Sequence, residues 1–162
     1  SQRQGRIAAT HHASTVYTPQ FVLDGRDWRA WRGELPEARE DSAGARLKLR
    51  LKTPARGRLE VGGEARLRDP APGARVYLAL YENNLTSRVA AGENAGSLLR
   101  HDFVVRRLLG PLPLPDSGVL PLREAFDLEP DWKPADLGVA AFIQDIGSGE
   151  VYQALRLPMC GK

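Results

Sequence analysis

Apolar and polar residues alternate with a period of two from about residue 45 onward. In RLKLRLK, residues 46–52, Leu47, Leu49 and Leu51 occupy one face of an extended chain, and four basic residues occupy the other. This alternation is typical of a strand in an antiparallel sheet that has one buried and one solvent-facing side. We therefore predict that the chain after residue 44 is built mainly from such strands.

Further strands follow from the same pattern and from the turn residues between them. In the segment 58–67, the apolar residues before and after Gly62-Gly63 fall on the same face only if the strand absorbs this glycine pair. The pair therefore predicts a bulge or bend. The segment 75–82, RVYLALYE, is apolar on both faces and predicts a central strand. Pro121 predicts an edge strand at 119–124, because proline has no N–H to donate. The other predicted strands are a short one at 86–90, a long one at 98–109 and a C-terminal hairpin turning at IGSG, residues 146–149.

These elements predict a mainly β fold. About seven or eight short strands with regular turn signals favour an antiparallel immunoglobulin-like β-sandwich over residues 45–162. No convincing helix of ten residues follows residue 45. The Cys…Trp…Cys arrangement of antibody domains is absent, because Cys160 is the only cysteine. The polar run 32–44 before the sandwich predicts a linker and a domain boundary.

The first 44 residues predict a smaller unit. Residues 4–11 have room for two marginal helical turns. Residues 16–31 predict a hairpin, in which Asp24-Gly25 is a favoured pair for a tight turn. Thr18-Pro19 stands directly before its first strand. From the residues alone we expect a trans proline that kinks the strand entry, since only about 5% of X-Pro bonds in folded proteins are cis.

Composition and charge exclude several classes of protein. A chain of 162 residues accommodates one domain, or one domain plus a remnant of another. The net charge is +3, but the 19 arginines and 4 lysines are scattered without a block of five like charges, so no nucleic-acid binding is predicted. No run approaches the roughly 18 apolar residues that a membrane span requires, so no span is predicted.

The loop GENAG, residues 92–96, and the nearby His101 form the main candidate ligand site. Our first interpretation is structural: Gly92 and Gly96 permit positive φ, Asn94 bonds its own loop, and His101 anchors that loop. The second interpretation is a small-ligand site that uses Glu93, Asn94 and His101.

No catalytic, cofactor or metal site is predicted. His101 and Asp102 are neighbours on a strand and point to opposite faces, so they are not expected to act as a pair. Ser87 and Ser97 are possible nucleophiles, but no Gly-x-Ser-x-Gly elbow is present. The pair His11-His12 has no identifiable third metal ligand.

Two separated motifs resemble a known family. YTPQFVLDGR, residues 17–26, and GENAGSLLRHDFVVR, residues 92–106, resemble segments of a bacterial family of secreted thioredoxin-like proteins, domain-of-unknown-function family 1223. SQRQ at the start and AAFIQDIGSGEVYQALRLP, residues 140–158, are also similar to that family. The strand and the cysteine-bearing loop and helix with which its members begin are missing, so the chain resembles only the rear portion of such a protein.

The resemblance changes the interpretation of the first 44 residues. It implies a partial thioredoxin-like segment in which Thr18-Pro19 is cis and positions a thiol-bearing substrate. It also implies a periplasmic or secreted protein. Trp28 and Trp31 would cover the junction with the sandwich, and the exposed apolar surface and strand edge predict a protein partner or a homodimer through the N-terminal hairpin.

Three functions remain open. The first is a non-catalytic β-sandwich module that accompanies a thioredoxin-like domain. The second is part of a thiol–disulfide oxidoreductase whose cysteines lie on a missing N-terminal segment, since Cys160 has no pairing residue. The third is a small-ligand binding protein. For the chain itself, no enzymatic activity is expected.

Overall fold

The computed structural model describes residues 21–28, 44–69 and 71–159, together with positions 5 and 9. Some predictions therefore lie outside the described residues, namely those for Thr18-Pro19, Trp31, His11-His12 and Cys160. Among the described residues, no helix is long and apolar enough to cross a membrane.

The described chain consists of eleven β-strands and one short 3-10 turn at Pro134–Asp136. The strands are β1 (Val22–Leu23), β2 (Arg26–Asp27), β3 (Ala45–Ala55), β4 (Arg58–Leu67), β5 (Ala74–Glu82), β6 (Leu85–Arg88), β7 (Leu98–His101), β8 (Val104–Pro113), β9 (Val119–Asp127), β10 (Leu137–Asp145) and β11 (Val151–Pro158). The fold is mainly β, as the alternation predicts.

Seven strands form two antiparallel sheets, and four more form two separate hairpins. The larger sheet has the order β11-β10-β5-β8, and the smaller has the order β3-β4-β9. Among the described strands, β1 pairs only with β2, and β6 pairs only with β7. The predicted central strand is confirmed, because β5 lies between β10 and β8. The predicted edge strand is also confirmed, because β4 is the only described strand that pairs with β9.

Both sheets contribute to one apolar core. On β3 the predicted alternation is confirmed, since Leu47 is buried, Leu49 and Leu51 pack against the core, and the basic residues between them are exposed. On β5 the core positions Val76, Leu78 and Leu80 are completely buried. Trp132 belongs to the same cluster and is only 7% exposed, so this tryptophan packs into the core. Burying aliphatic side chains from both sheets supplies the main driving force for packing them together.

The bulge predicted at Gly62-Gly63 is wrong, because the register of β4 is continuous on both sides. Gly63 pairs with Leu49 and Gly62 with Arg50 without a shift. Gly63 occupies a core-facing position in phase with Val61 and Ala65, so no extra residue has to be absorbed. A Cβ added at Gly63 would collide with the carbonyl of Lys48, and this close approach of two backbones accounts for the glycine.

The single long strand predicted at 98–109 is also wrong, because the chain breaks at Asp102 and Phe103. Phe103 has φ 56°, which ends β7 and redirects the chain into β8. The break is held by distant residues: Asp102 Oδ1 accepts the Asn84 N–H at 2.9 Å, and the Phe103 N–H donates to Asn83 Oδ1 at 2.9 Å. β7 can then pair with β6 while β8 pairs with β5.

Candidate functional site

The predicted ligand loop is closed by its own backbone. Its base is held by the N–H of Gly96 donating to Val89 O and by the N–H of Val89 donating to Ser97 O, at 2.8 and 2.9 Å. Gly92 and Gly96 have φ of 90° and 86°, which confirms their predicted conformation. Glu93 and Asn94 lie at the exposed tip. Within the loop, Asn94 acts through its carbonyl oxygen, which accepts the N–H of Ser97 at 3.1 Å.

His101 lies at the opposite end of the β6–β7 hairpin from this loop. It pairs with Leu85, whereas the loop follows the Arg88–Leu98 pair. His101 lies three positions after Leu98 along the strand, which corresponds to roughly 10 Å. The structure therefore does not bring His101 together with Glu93 and Asn94.

His101 instead contacts Ser87 across the hairpin. Ser87 Oγ lies 2.7 Å from His101 Nε2. The carboxylate that would complete a triad is directed elsewhere, because Asp102 accepts the backbone N–H of Asn84. Among the described residues there is also no cluster of three His, Cys, Asp or Glu side chains able to hold a metal. The Ser87–His101 pair thus crosslinks two exposed strands without an orienting acid.

A completely buried carboxylate lies at one end of the core. Glu82 follows the aliphatic core positions of β5, and its side chain is only 1% exposed. Its Oε2 accepts from both Nε and Nη2 of Arg106, each at 2.7 Å. Its Oε1 accepts the backbone N–H of Lys133 at 3.1 Å. A buried charge is tolerable only with this kind of pairing, so the cluster joins β5, β8 and the loop that carries Trp132.

A bulge in β8 explains how Arg106 reaches this position. The register shifts between Leu80 and Tyr81, whose partners are Arg107 and Val105, so Arg106 is the extra residue. The guanidinium carbons of Arg106 and Arg107 consequently both lie over Trp132, 5.6 and 4.9 Å from the ring centroid. Bulges commonly redirect a side chain in this way.

The hairpin β1–β2 meets the larger sheet at the turn between β10 and β11. Asp24 and Gly25 have φ of 49° and 84°, as expected for the tight turn predicted from the Asp-Gly pair. Gly25 is buried, and a Cβ added there would collide with the carbonyl of Gly149. The Asp24 carbonyl accepts the N–H of Val151 at 3.4 Å. We call this contact, formed by Asp24, Gly25, Gln144, Gly149 and Val151, the hairpin junction.

The turn on the sandwich side of the hairpin junction is held by polar side chains. Asp145 Oδ1 accepts the N–H groups of Gly147 and Ser148 at 2.8 and 2.7 Å. Gln144, which is 6% exposed, donates its Nε2 to the Gly149 carbonyl at 2.7 Å. These bonds fix the carbonyl against which Gly25 packs. Next to them, burial raises the pKa of Tyr152, and the carboxylates of Asp145 and Glu150 add to that rise.

Sequence reasoning identified the two turns of the hairpin junction but not their contact. It also missed Glu82 and Arg106. One sequence feature could have indicated Glu82. It ends the apolar run RVYLALYE at a position that lies on the same face of the strand as the core residues. Its partner lies 24 residues further along and depends on a bulge, which the local pattern did not reveal.

The fold and these contacts define a β-rich domain with two antiparallel sheets on one core and a short hairpin attached to one end. Within the described part of the chain no catalytic triad or metal cluster is assembled.

The chain belongs to the family described as protein of unknown function (DUF1223), whose model matches residues 1–144. Its structure is similar to the crystal structure of a domain of the outer membrane lipoprotein Omp28 from Porphyromonas gingivalis, with a TM-score of 0.53 and 13% sequence identity. The match covers 79% of this chain and 98% of the Omp28 domain. The chain is also similar to HBP35 of Porphyromonas gingivalis, with a TM-score of 0.56 and 15% identity over 74% of this chain and 44% of that one. The chain thus spans less than half of HBP35. At these identities the similarity shows the fold alone, and no curated protein matches the chain in sequence.

Proposed function

We propose that residues 45–162 form a non-catalytic, immunoglobulin-like β-sandwich module that holds a thioredoxin-like segment, residues 1–44, in a fixed position. The observation that carries this proposal is the burial of Gly25 against Gly149 at the hairpin junction. Two backbones in direct contact leave no room for a side chain, so this contact is specific rather than incidental.

The hairpin junction would set the position of the predicted substrate segment. Thr18-Pro19 precedes the described hairpin by one residue, and the hairpin is closed by the Trp28 N–H donating to Phe21 O at 2.8 Å. Fixing the turn at residues 24 and 25 therefore limits where residues 18 and 19 can lie. In this role the sandwich orients a surface for a thiol-bearing partner and contributes no reacting group itself.

We also propose a location outside the cytoplasm. One support is that a structure with this fold is described as a domain of an outer membrane lipoprotein. The other is the resemblance of the sequence motifs to a secreted family.

The hairpin junction can be tested with two matched glycine variants. Gly25 and Gly57 both have positive φ, 84° and 76°, so alanine strains the backbone similarly at both positions. At Gly25 the new Cβ also collides with Gly149, whereas at Gly57 its nearest neighbour is an ordinary contact at 3.7 Å. We expect faster amide hydrogen exchange at Val151 in Gly25→Ala and unchanged exchange in Gly57→Ala. Equal protection of Val151 in both variants would contradict the proposal.

The non-catalytic assignment can be tested by disulfide reduction. We expect the chain to reduce insulin disulfides no faster than dithiothreitol alone, and Cys160→Ser to behave identically. Turnover that disappears in Cys160→Ser would show that the chain is itself an oxidoreductase.

We further propose that the hairpin offers a surface for a second copy of the chain. Phe21 and Val22 are each 39% exposed on a two-stranded sheet that no third described strand extends. Sedimentation equilibrium should then show a dimer that Val22→Lys dissociates. A monomer at all concentrations would exclude this partner.

A further inference from the structure

The outward face of the smaller sheet carries seven of the basic residues of the described chain. On β3 all four bases alternate with the core residues and are exposed. β4 adds Arg58 and Arg66 to this face, and β9 adds Arg123. Three carboxylates oppose these seven bases, so the face has a larger net charge than the +3 of the whole chain. We call it the basic face.

The carboxylates on the basic face are already paired. Arg58 lies 3.8 Å from Glu60 and 3.5 Å from Asp127. Arg66 lies 3.3 Å from Glu64. No hydrogen bond or ion pair among the described residues engages the other five bases, which are Arg46, Lys48, Arg50, Lys52 and Arg123. Their charge is therefore available to an external anion.

A glycine opens a groove in the middle of this charge. Gly62 pairs with Arg50 on one side and with Arg123 on the other. A Cβ at Gly62 would meet no atom within 4 Å, so the space between the two arginines is open. Both arginines line a cavity of about 350 Å³, together with Lys52, Arg58 and the carboxylates Glu60 and Glu124, so bases outnumber acids in its lining. Two guanidinium groups beside an open gap suit a phosphate, because each can donate two parallel hydrogen bonds.

The surroundings of the groove distinguish between classes of polyanion. None of the outward positions on β3, β4 and β9, all of which are described, carries an aromatic ring on which a base could stack. The face also lacks the apolar, lysine-poor centre that is typical of a protein–protein interface. A solvent-facing sheet surface with five bases that no described residue pairs instead matches the negative surface of a bilayer, which attracts each nearby Lys or Arg.

We propose that the basic face binds the phosphate headgroups of an anionic lipid bilayer, with one headgroup in the groove at Gly62. The proposal does not depend on the hairpin junction. It concerns the other sheet, and its test uses different residues.

Co-sedimentation of the full chain with vesicles tests this binding. The test variant is Arg50→Glu with Arg123→Glu. The matched control is Arg88→Glu with Arg100→Glu, which changes the net charge equally at two exposed arginines of the β6–β7 hairpin. Circular dichroism and thermal melting check folding, and Arg50→Gln with Arg123→Gln replaces the test variant if the glutamates prevent folding.

We expect binding to phosphatidylglycerol vesicles but not to phosphatidylcholine vesicles, and loss of that binding near 1 M salt, where the Debye length is about 3 Å. The test variant should bind at least about tenfold more weakly, while the control should retain most of its affinity, since each basic residue at the surface contributes about 1 kcal/mol. Absence of vesicle binding, or equal losses in test and control variants, would overturn the proposal. So would displacement from vesicles by a 20-nucleotide single-stranded DNA or by millimolar inorganic phosphate, because the site would then prefer nucleic acid or the free ion.

Discussion

Replacing Glu82 tests whether the buried ion pair stabilises the end of the core. Glu82→Ala removes the acceptor of two 2.7 Å bonds from Arg106 and of the 3.1 Å bond from Lys133 N–H. Breaking a buried pair by removing one partner typically costs about 3–5 kcal/mol. The Arg106 side chain is 28% exposed and can be partly hydrated, so we expect a value at the lower end, about 3 kcal/mol.

The assay is urea unfolding of Glu82→Leu, Arg106→Met and the double variant that combines these two substitutions, with Glu82→Ala measured alongside. Each single variant leaves one member of the ion pair without its partner. The double variant replaces the ion pair with an apolar contact and leaves only the Lys133 N–H without its acceptor. The double variant should therefore be destabilised by clearly less than the sum of the single ones, with an unchanged dependence of unfolding free energy on urea.

The exposed pair Arg107–Glu129 provides the control for this experiment. Its side chains are 48% and 51% exposed, so Glu129→Ala should cost less than about 1 kcal/mol. A loss below about 1 kcal/mol for Glu82→Ala, or strict additivity in the double variant, would refute the reasoning that burial makes this pair stabilising.

Two further predictions concern the strands. Gly63→Ala should lower the free energy of unfolding by about 1–3 kcal/mol, because the new Cβ meets the Lys48 backbone. Gly62→Ala places its Cβ in open space and should be neutral or stabilising by up to about 1 kcal/mol. Equal melting temperatures for the two variants would contradict this. Burial raises the pKa of Tyr81 and of Tyr152, with Arg156 partly opposing the rise at Tyr81. Because the unfolded chain then loses these protons first, the contribution of the two tyrosines to stability is fully present below their ordinary pKa of about 10. It is lost as the pH rises from there through their raised pKa in the folded chain. Denaturation between pH 8 and 11 should show a smaller decline for Tyr81→Phe. At neutral pH this variant should be at least as stable as the parent, because the buried Tyr81 hydroxyl has no hydrogen-bond partner among the described residues. A lower stability at neutral pH would contradict that account.

Much of the candidate site depended on register that the sequence does not reveal. The Asp24-Gly25 and IGSG turns were predictable because their residues favour tight turns wherever they occur. Their contact was not predictable, because it joins positions more than a hundred residues apart. The grouping of Glu93, Asn94 and His101 was only a hypothesis from sequence proximity, and the pairing of β6 with β7 places His101 at the far end of the hairpin.

The local pattern alone determined β3, whose apolar and basic residues alternate without interruption, because side chains on an extended chain alternate between faces whatever lies next to them. It also determined β5, because a short run that is apolar on both faces is typical of a central strand. Tertiary structure decided where that alternation fails. Asn83 and Asn84, about twenty residues away, end β7 at Phe103, and the bulge opposite Leu80 and Tyr81 directs Arg106 to Glu82. Tertiary structure also brought together seven of the 23 arginines and lysines on one face of β3, β4 and β9, because hydrogen bonds between strands align residues that the sequence keeps apart.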